Sequence, residues 1–464
     1  LLPGASEIYK QQILQALEDQ LGLKSGERDG DIGGDDRLVT TVGHMRNSDV
    51  TIDSNGDIYV ALCIDRDPSG REIKVYISRD GGTRFGNWGV LDDPSSAENF
   101  MEPTILACEG SENRIYLAYR RYVTGSGDSE IRMVYAQLGE PMATFSSEIT
   151  VLSQPGVDFM RPRLASDAVN WDSYFLYLVA EGSQEPGGND IWFARSTNFG
   201  VSFETPYQIG TLVPDDRNYS LPDICYGYDG WIHVAWYFHF PGHEYDATIR
   251  YRRAPSWADG GVGSWENMVD LTGHTNGMDE WRPRIAASPS SPEIVIGYSR
   301  SEWQGTYFVV RPTGFLGSYN YGASFDAGVI FSGSSGRMLD VEYQQSTEDF
   351  IALETFQSNP GVRRTDRSDL AGWSECLFLG DGEYYTGTSW DIGLGIDPTN
   401  DDRVCTAWTD GTASTEPNDL WFDAEWHTDP GYPNYEDGFP RDLMDRPYSP
   451  PALVDLNGDG NLEI

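Results

Sequence analysis

Apolar residues gather along the chain in runs of four to six, rich in Val, Ile, Tyr, Phe and Trp and bounded by Gly, Asp, Asn and Pro. Runs of this length and boundary predict strands rather than helices. They also repeat. A segment of the form x-Pro-x-apolar reads Glu102-Pro103-Thr104-Ile105, Arg161-Pro162-Arg163-Leu164, Leu221-Pro222-Asp223-Ile224 and Arg282-Pro283-Arg284-Ile285. Weaker copies are Asp49-Val50-Thr51-Ile52, Met338-Leu339-Asp340-Val341 and Ser389-Trp390-Asp391-Ile392. Their second positions lie 51 to 61 residues apart. Behind each copy comes a second run, such as Ile58–Leu62 or Ile232–Trp236, then a third, such as Ile73–Ser78 or Ile249–Arg253. A fourth run, such as Trp88–Leu91 or Ile149–Leu152, precedes the next copy.

Four strands per repeat and seven repeats predict an all-β chain, a seven-bladed β-propeller of four-stranded blades. The seventh repeat lacks its fourth strand, and Leu38–Val42 supplies one from the N-terminal side, closing the ring. Six blades plus a separate sheet, or two smaller sandwiches, are the competing arrangements. Ser6 to Leu23 carries Ile8, Ile13, Leu14, Leu17 and Leu21 behind a capping Ser6, which predicts a short amphipathic N-terminal helix. The predicted organisation is helix and linker over 1–36, propeller over 37–428, and a Pro-rich connector with a terminal loop over 429–464.

Composition narrows the function classes. The chain has 464 residues, 73 acidic against 32 basic, for a formal charge of −41. Such a surface repels nucleic acid and anionic lipid, and no compensating basic patch stands out. No run reaches the roughly 18 apolar residues of a membrane span. The 51 Gly and 26 Pro favour turns and short strands. Five scattered cysteines without a Cys-x-x-Cys pair read as buried thiols, with disulfides left open. The chain opens at Leu1 with no methionine or basic leader, as expected of a processed chain or a fragment.

Three turns share one pattern. Ser78-Arg79-Asp80-Gly81-Gly82-Thr83, Ser196-Thr197-Asn198-Phe199-Gly200-Val201-Ser202 and Ser318-Tyr319-Asn320-Tyr321-Gly322-Ala323-Ser324 each stand at the third-to-fourth strand connection, with an aromatic just beyond. They resemble the Asp-box, or bacterial neuraminidase repeat, of sialidase-like propellers. The resemblance implies structural roles for Asp80, Asn198 and Asn320. The terminal Asp455-Leu456-Asn457-Gly458-Asp459-Gly460-Asn461 places oxygens at alternate positions before a glycine, as a hard cation requires. It resembles the opening of an FG-GAP or VCBS repeat, which implies calcium held by Asp455, Asn457, Asp459 and Asn461. The similar Asp53-Ser54-Asn55-Gly56-Asp57 reads as a hairpin turn.

The sialidase family works with three arginines, a Tyr/Glu nucleophile pair and an acid/base Asp on a six-bladed ring. No third arginine and no such pair is assignable here by motif. Candidate ligand residues are therefore positional. Asp49, Glu102, Arg161 and Arg282 stand just before the x-Pro position, at the expected channel mouth, as a paired polar network or a site for a sugar or carboxylate. His44 and His274 fall in connections on the same side, and Trp281 and Trp390 stand beside the ring positions. His239 and His243, with Glu244 and Asp246, occupy a second-to-third strand connection. The expected function is a secreted or cell-surface module that binds glycan or extracellular protein, more a scaffold than an enzyme. A sialidase-like glycoside hydrolase or polysaccharide lyase is the alternative, and a structural subunit of an extracellular assembly is a third reading.

Overall fold

The predicted strands appear, in four-stranded antiparallel meanders. In a computed structural model, β1 (Arg28–Asp29) and β2 (Asp35–Thr40) precede a first meander of β3 (His44–Ile52), β4 (Ile58–Arg66), β5 (Gly70–Ser78) and β6 (Gly86–Leu91). The next is β7 (Glu98–Cys108), β8 (Arg114–Val123), β9 (Ser129–Gln137) and β10 (Ile149–Leu152). Then come β11 (Asp158–Ser166), β12 (Leu176–Gln184), β13 (Gly188–Ser196) and β14 (Tyr207–Gln208). They are followed by β15 (Asn218–Tyr226), β16 (Trp231–His239), β17 (Ala247–Pro255) and β18 (Val269–Asp270). After these lie β19 (Met278–Ala287), β20 (Ile294–Trp303), β21 (Phe308–Ser318) and β22 (Val329–Ile330). The last complete meander is β23 (Gly336–Gln344), β24 (Asp349–Phe356), β25 (Asn359–Asp366) and β26 (Leu377–Phe378). Finally β27 (Leu394–Ile396), β28 (Arg403–Asp410) and β29 (Asp419–Trp426) pair in sequence, and β2 adds to β29 through Arg37↔Phe422 and Leu38↔Trp421.

The structure describes residues 28–29, 35–40 and 44–426, apart from 67–69, 93–97, 110–111, 124–127, 168–174, 185–187, 211–217, 229, 240–245, 257–263, 274–276, 306, 327–328, 331–335, 346, 357–358, 374–376, 379–392, 397–402 and 411–418. The expected N-terminal helix lies outside these residues, as does the terminal calcium-type loop in the second structural unit, His427–Ile464. Among the described residues there is no helix, and none long and apolar enough to cross a membrane. Cys63, Cys108 and Cys405 are buried and Cys225 is half-buried.

The first strands β3, β7, β11, β15, β19, β23 and β27 contact one another in that order, and β27 contacts β3. Apolar layers fill the spaces between adjacent meanders. One joins Tyr116, Met133 and Leu152 to Phe159 and Trp192, and another joins Val50 and Val60 to Cys405 and Phe422. Each fully buried large side chain adds about 1.5–3 kcal/mol.

Each x-Pro segment is a β-bulge. The register slips between Met101 and Thr104, Met160 and Arg163, Ser220 and Asp223, and Trp281 and Arg284. The residue before each proline takes positive φ: Glu102 52°, Arg161 54°, Leu221 53° and Arg282 56°. A proline, which has no N–H, fits where the ladder is already broken. Bulged backbone N–H groups then need other acceptors, and the preceding meander provides them. Glu102 Oε2 accepts from Arg161 N at 2.7 Å, Glu181 Oε2 from Leu221 N at 3.3 Å, and Ser299 Oγ from Met338 N at 2.9 Å.

The three Ser-x-Asp/Asn turns have one geometry. Ser78 donates to Asp80 at 2.9 Å and accepts from Gly82 N at 2.8 Å, while Asp80 also accepts from Arg84 N at 2.9 Å. Asn198 and Asn320 repeat this with Ser196 and Ser318, accepting from Ser202 N and Ser324 N. In the second turn a Cβ on Gly200 would meet Tyr116 Cε1 at 2.7 Å, and φ there is +72°. Glycine therefore answers both a close approach and a left-handed backbone. At Asp53, the side chain accepts from Asn55 N and Asp57 N at 2.9 and 3.0 Å, closing the hairpin turn expected there.

Candidate functional site

Two polar regions are built on the first strands. The deeper is a cavity of about 680 Å³ whose lining includes Asp49, Thr104, Arg163, Asp223, Ile285, Asp340, Glu342 and Leu394. The acids there strap neighbouring meanders together. Asp49 Oδ2 accepts from Ile105 N at 2.9 Å, Asp223 Oδ2 from Ile285 N at 2.8 Å, and Asp340 Oδ2 from Leu394 N at 2.8 Å. Arg163 lies 3.9 Å from Asp223, and Arg284 donates to the Leu339 carbonyl at 2.7 Å.

This geometry corrects the register read from sequence. Asp49 was aligned with Glu102, Arg161 and Arg282, but its structural counterparts are Thr104, Arg163, Asp223, Arg284 and Asp340. The bulge residue of β3 is Asn47, at φ 46°, so the true copy there begins two residues earlier. Ser48 occupies the proline position, which hid the offset. The residues before the prolines turn elsewhere: Arg161 pairs with Glu181 at 2.8 Å, Glu102 lies 3.6 Å from Arg120, and Arg282 is fully buried. Trp281 is half-buried with Arg337 5.8 Å over its ring. His44 lies on β3, but its side chain is outside the described residues, as are all of His274 and Trp390.

Burial pushes the carboxyls of Asp49 and Asp223 up, against opposing charge from Arg163 and Arg284. Asp340 is pushed up to about 7, first by burial and then by Asp223, with Arg284 opposing. Glu342, on the cavity wall, is also raised, first by the protein around it and then by the charge of Asp340, although its side chain is exposed. Such groups keep protons in the folded chain at pH values where the unfolded chain has lost them. Stability therefore falls as pH rises from about 4 to about 7. Glu342→Gln removes one of these charges without removing an inter-strand strap. Thermal melts should show it more stable than the parent at pH 8, by less than about 1 kcal/mol because the side chain is exposed. The two should converge below about pH 4, where the unfolded glutamate is also protonated; a variant less stable at pH 8 would contradict the charge argument.

The second region gathers where β15, β17 and β19 begin and β16 and β20 end. Pairing of Ser220 with Tyr237 and of Asn218 with His239, and the parallel bridge of Ala247 to Asp279, bring these ends together. Period-2 alternation sends Tyr237 and His239 to one face of β16, with ring centroids 6.3 Å apart. Glu181, buried at 1% exposure, is the hub beside them. It accepts from Arg161 Nη1 at 2.8 Å and from Asn189 Nδ2 at 2.5 Å, so a half-exposed guanidinium is held in place at this edge. Asp246 Oδ1 accepts from Gly277 N at 2.5 Å and so fixes the entry to β19.

Asp279 is the unusual member. Its Oδ1 is buried and has no hydrogen-bond partner among the described residues. Burial, with Asp246 adding and His239 opposing, raises its carboxyl to about 6. Tyr237 is raised as well, by burial and by the charges of Asp279 and Glu181, so its phenol stays protonated at neutral pH. Acid–base chemistry uses such a set: a carboxyl that changes state near neutrality, a phenolic donor, an imidazole and an oriented cation. The composition is mixed rather than basic. Glu102 and Asp158 take up Arg120, and Glu280 lies 3.6 Å from Arg300. Among the described residues, no group of three or more His, Cys, Asp and Glu is arranged to hold a metal ion.

Sequence reasoning reached His239 and Asp246 but missed Tyr237, Glu181 and Asp279. Asp279 stands in a Gly-Met-Asp-Glu run with no motif of its own. Only the ladder that joins β17 to β19 sets it beside His239.

No family model and no curated protein matches the chain. Solved structures do. An ulvan lyase of polysaccharide lyase family 25 is similar at TM-score 0.56 and 12% identity, over 83% of this chain and 96% of its own. An α-L-arabinanase of Penicillium chrysogenum aligns at TM-score 0.48 and 11% identity, over 83% and 96%. A Hadza microbial sialidase aligns at 0.44 and 12%, over 77% and 74%. The likeness to the ulvan lyase shows the fold, an all-β propeller.

Proposed function

We propose that the chain is a carbohydrate-active enzyme that cleaves glycosidic bonds of a largely uncharged polysaccharide, with Asp279 as the proton donor. The buried Asp279 oxygen beside Tyr237 and His239, with no hydrogen-bond partner among the described residues, carries this reading. A buried acceptor without a partner is uncommon unless it serves chemistry or a ligand. A surface of −41, with the mouth arginines already engaged by acids, favours hydroxyl-rich over anionic sugars. This reading follows the hydrolase-or-lyase alternative drawn from the sequence; the non-catalytic module finds no support among the similar structures.

The meanders are, on this proposal, seven blades of one ring, with β2 completing the last. The Asp-box identity of the three turns, calcium at Asp455, Asn457, Asp459 and Asn461, and an extracellular or cell-surface location belong to the same proposal. They rest on the residue patterns alone. The deciding experiment incubates the protein with neutral and acidic polysaccharides and analyses the products. New reducing ends on a neutral polymer are expected, and unsaturated uronyl ends would instead assign elimination on an acidic one. Binding without any cleavage across the panel would return the chain to the recognition-module reading.

A further inference from the structure

Asp246 stands just before β17 and is 3% exposed. Its chain neighbour Ala247 forms the parallel bridge to Asp279, and its own Oδ1 accepts from Gly277 N at 2.5 Å, two residues ahead of Asp279. One side chain thereby ties β17 to the bend that delivers Asp279. A strap of this kind needs only an acceptor oxygen, which an asparagine also has. Burying a carboxylate instead costs more than burying an amide. It sets a second acid beside a carboxyl whose Oδ1 has no hydrogen-bond partner among the described residues. The other groups around Asp279 act differently. Tyr237 and His239 come from the end of β16; the phenol stays uncharged at neutral pH, and the imidazole opposes the acid. Glu181 of β12 is engaged by Arg161. Glu280, next in β19, lies 3.6 Å from Arg300 of β20, and Glu302 of β20 pairs with Arg311 of β21. Asp246 is the acid whose charge works against ionisation of Asp279.

We propose that Asp246 is a positioning residue for the cleavage: through Gly277 it seats Asp279, and through its charge it keeps the Asp279 proton in place until a glycosidic oxygen takes it. The inference rests on Asp279 being the proton donor and adds what makes it an acid rather than a base near neutral pH. A like charge disfavours the ionised form of its neighbour, and in a buried site it acts over a longer reach. In the step itself the Asp279 O–H bond breaks and its proton joins the glycosidic oxygen, which keeps the electron pair of the broken C–O bond. The water that adds to the sugar carbon releases the proton that Asp279 regains. Repulsion between two carboxylates favours that return.

The test compares the parent with Asp246→Asn and Asp246→Ala. Asparagine keeps an oxygen for Gly277 N and loses the charge; alanine loses both. Both variants should carry the limb of the pH profile downward by about one unit, the scale of one neighbouring charge, opposite to the shift expected on removing His239. For Asp246→Asn, kcat at pH 7 should then fall about tenfold, while kcat at pH 4 and KM stay near those of the parent. An unshifted limb in Asp246→Asn, with losses confined to Asp246→Ala, would reduce Asp246 to a strap and overturn the proposal. Proton-uptake titration of the same proteins, each with and without Asp279→Asn, isolates the Asp279 proton without any substrate. A titration that moves down with Asp246→Asn in a protein that cleaves nothing would sustain the charge link while removing the enzyme reading; one that stays in place overturns the link itself.

Discussion

Asp279→Asn should lower kcat on a cleaved polysaccharide by about 10²–10⁴-fold with little change in KM, because it removes a proton carrier and leaves the shape of the mouth intact. The amide fills the same space. The sign of the pH profile tests the role more sharply. Burial pushes the Asp279 carboxyl up to about 6, so a donor is competent below that pH and fades above it. Activity of the parent should fall as pH rises through about 6. A limb that rises there would make Asp279 a base and overturn the donor assignment, while full activity in the variant would remove it from the chemistry altogether. His239 opposes the rise in the Asp279 carboxyl. His239→Gln should therefore move the limb upward, a shift that loss of packing alone would not produce.

Deleting Asp35–Thr40 should cost at least about 3 kcal/mol and make the protein associate. The strand pairs with β29 through Arg37↔Phe422, Leu38↔Trp421 and Thr40↔Leu420, and Val39 packs on the layer of Met45, Val50 and Phe422. Its loss removes several ladder bonds and part of an apolar layer. It also bares the outer edge of β29, a template for pairing with another chain. Urea denaturation and sedimentation at two protein concentrations would show both effects. An unchanged midpoint with a monomeric product would mean that β2 does not brace the last meander.

Much of the architecture was legible because strands carry period-2 signals and turns carry Gly, Asn and Asp. Ile58–Leu62 lies within β4, Ile232–Trp236 within β16 and Ile249–Arg253 within β17. Of Leu38–Val42, expected as the outer strand of the last repeat, Leu38–Thr40 is found at the end of β2, paired with β29, and the rest lies outside the described residues. The site was less legible. The x-Pro repeat marked the bulges correctly in the second to fifth copies but misled the alignment of the first. A bulge inserts one residue that no hydrophobic pattern records. Cavity-lining positions such as Arg163, Asp223 and Asp340 then looked like ordinary polar residues in apolar strands.

The chain's own pattern determined that it would be all-β, repetitive, rich in tight turns and strongly acidic. Those properties are local: each depends on residues within one strand or one turn. Only the tertiary structure decided which charges meet. Glu181 reaches Arg161 across twenty residues, and Asp279 reaches His239 across forty, because antiparallel ladders and one parallel bridge bring strand ends to a common edge. Burial at that edge then raises the Asp279 carboxyl, since a charge deprived of water and faced by another acid is harder to form. Neither the meeting nor the burial is written in any single segment of sequence.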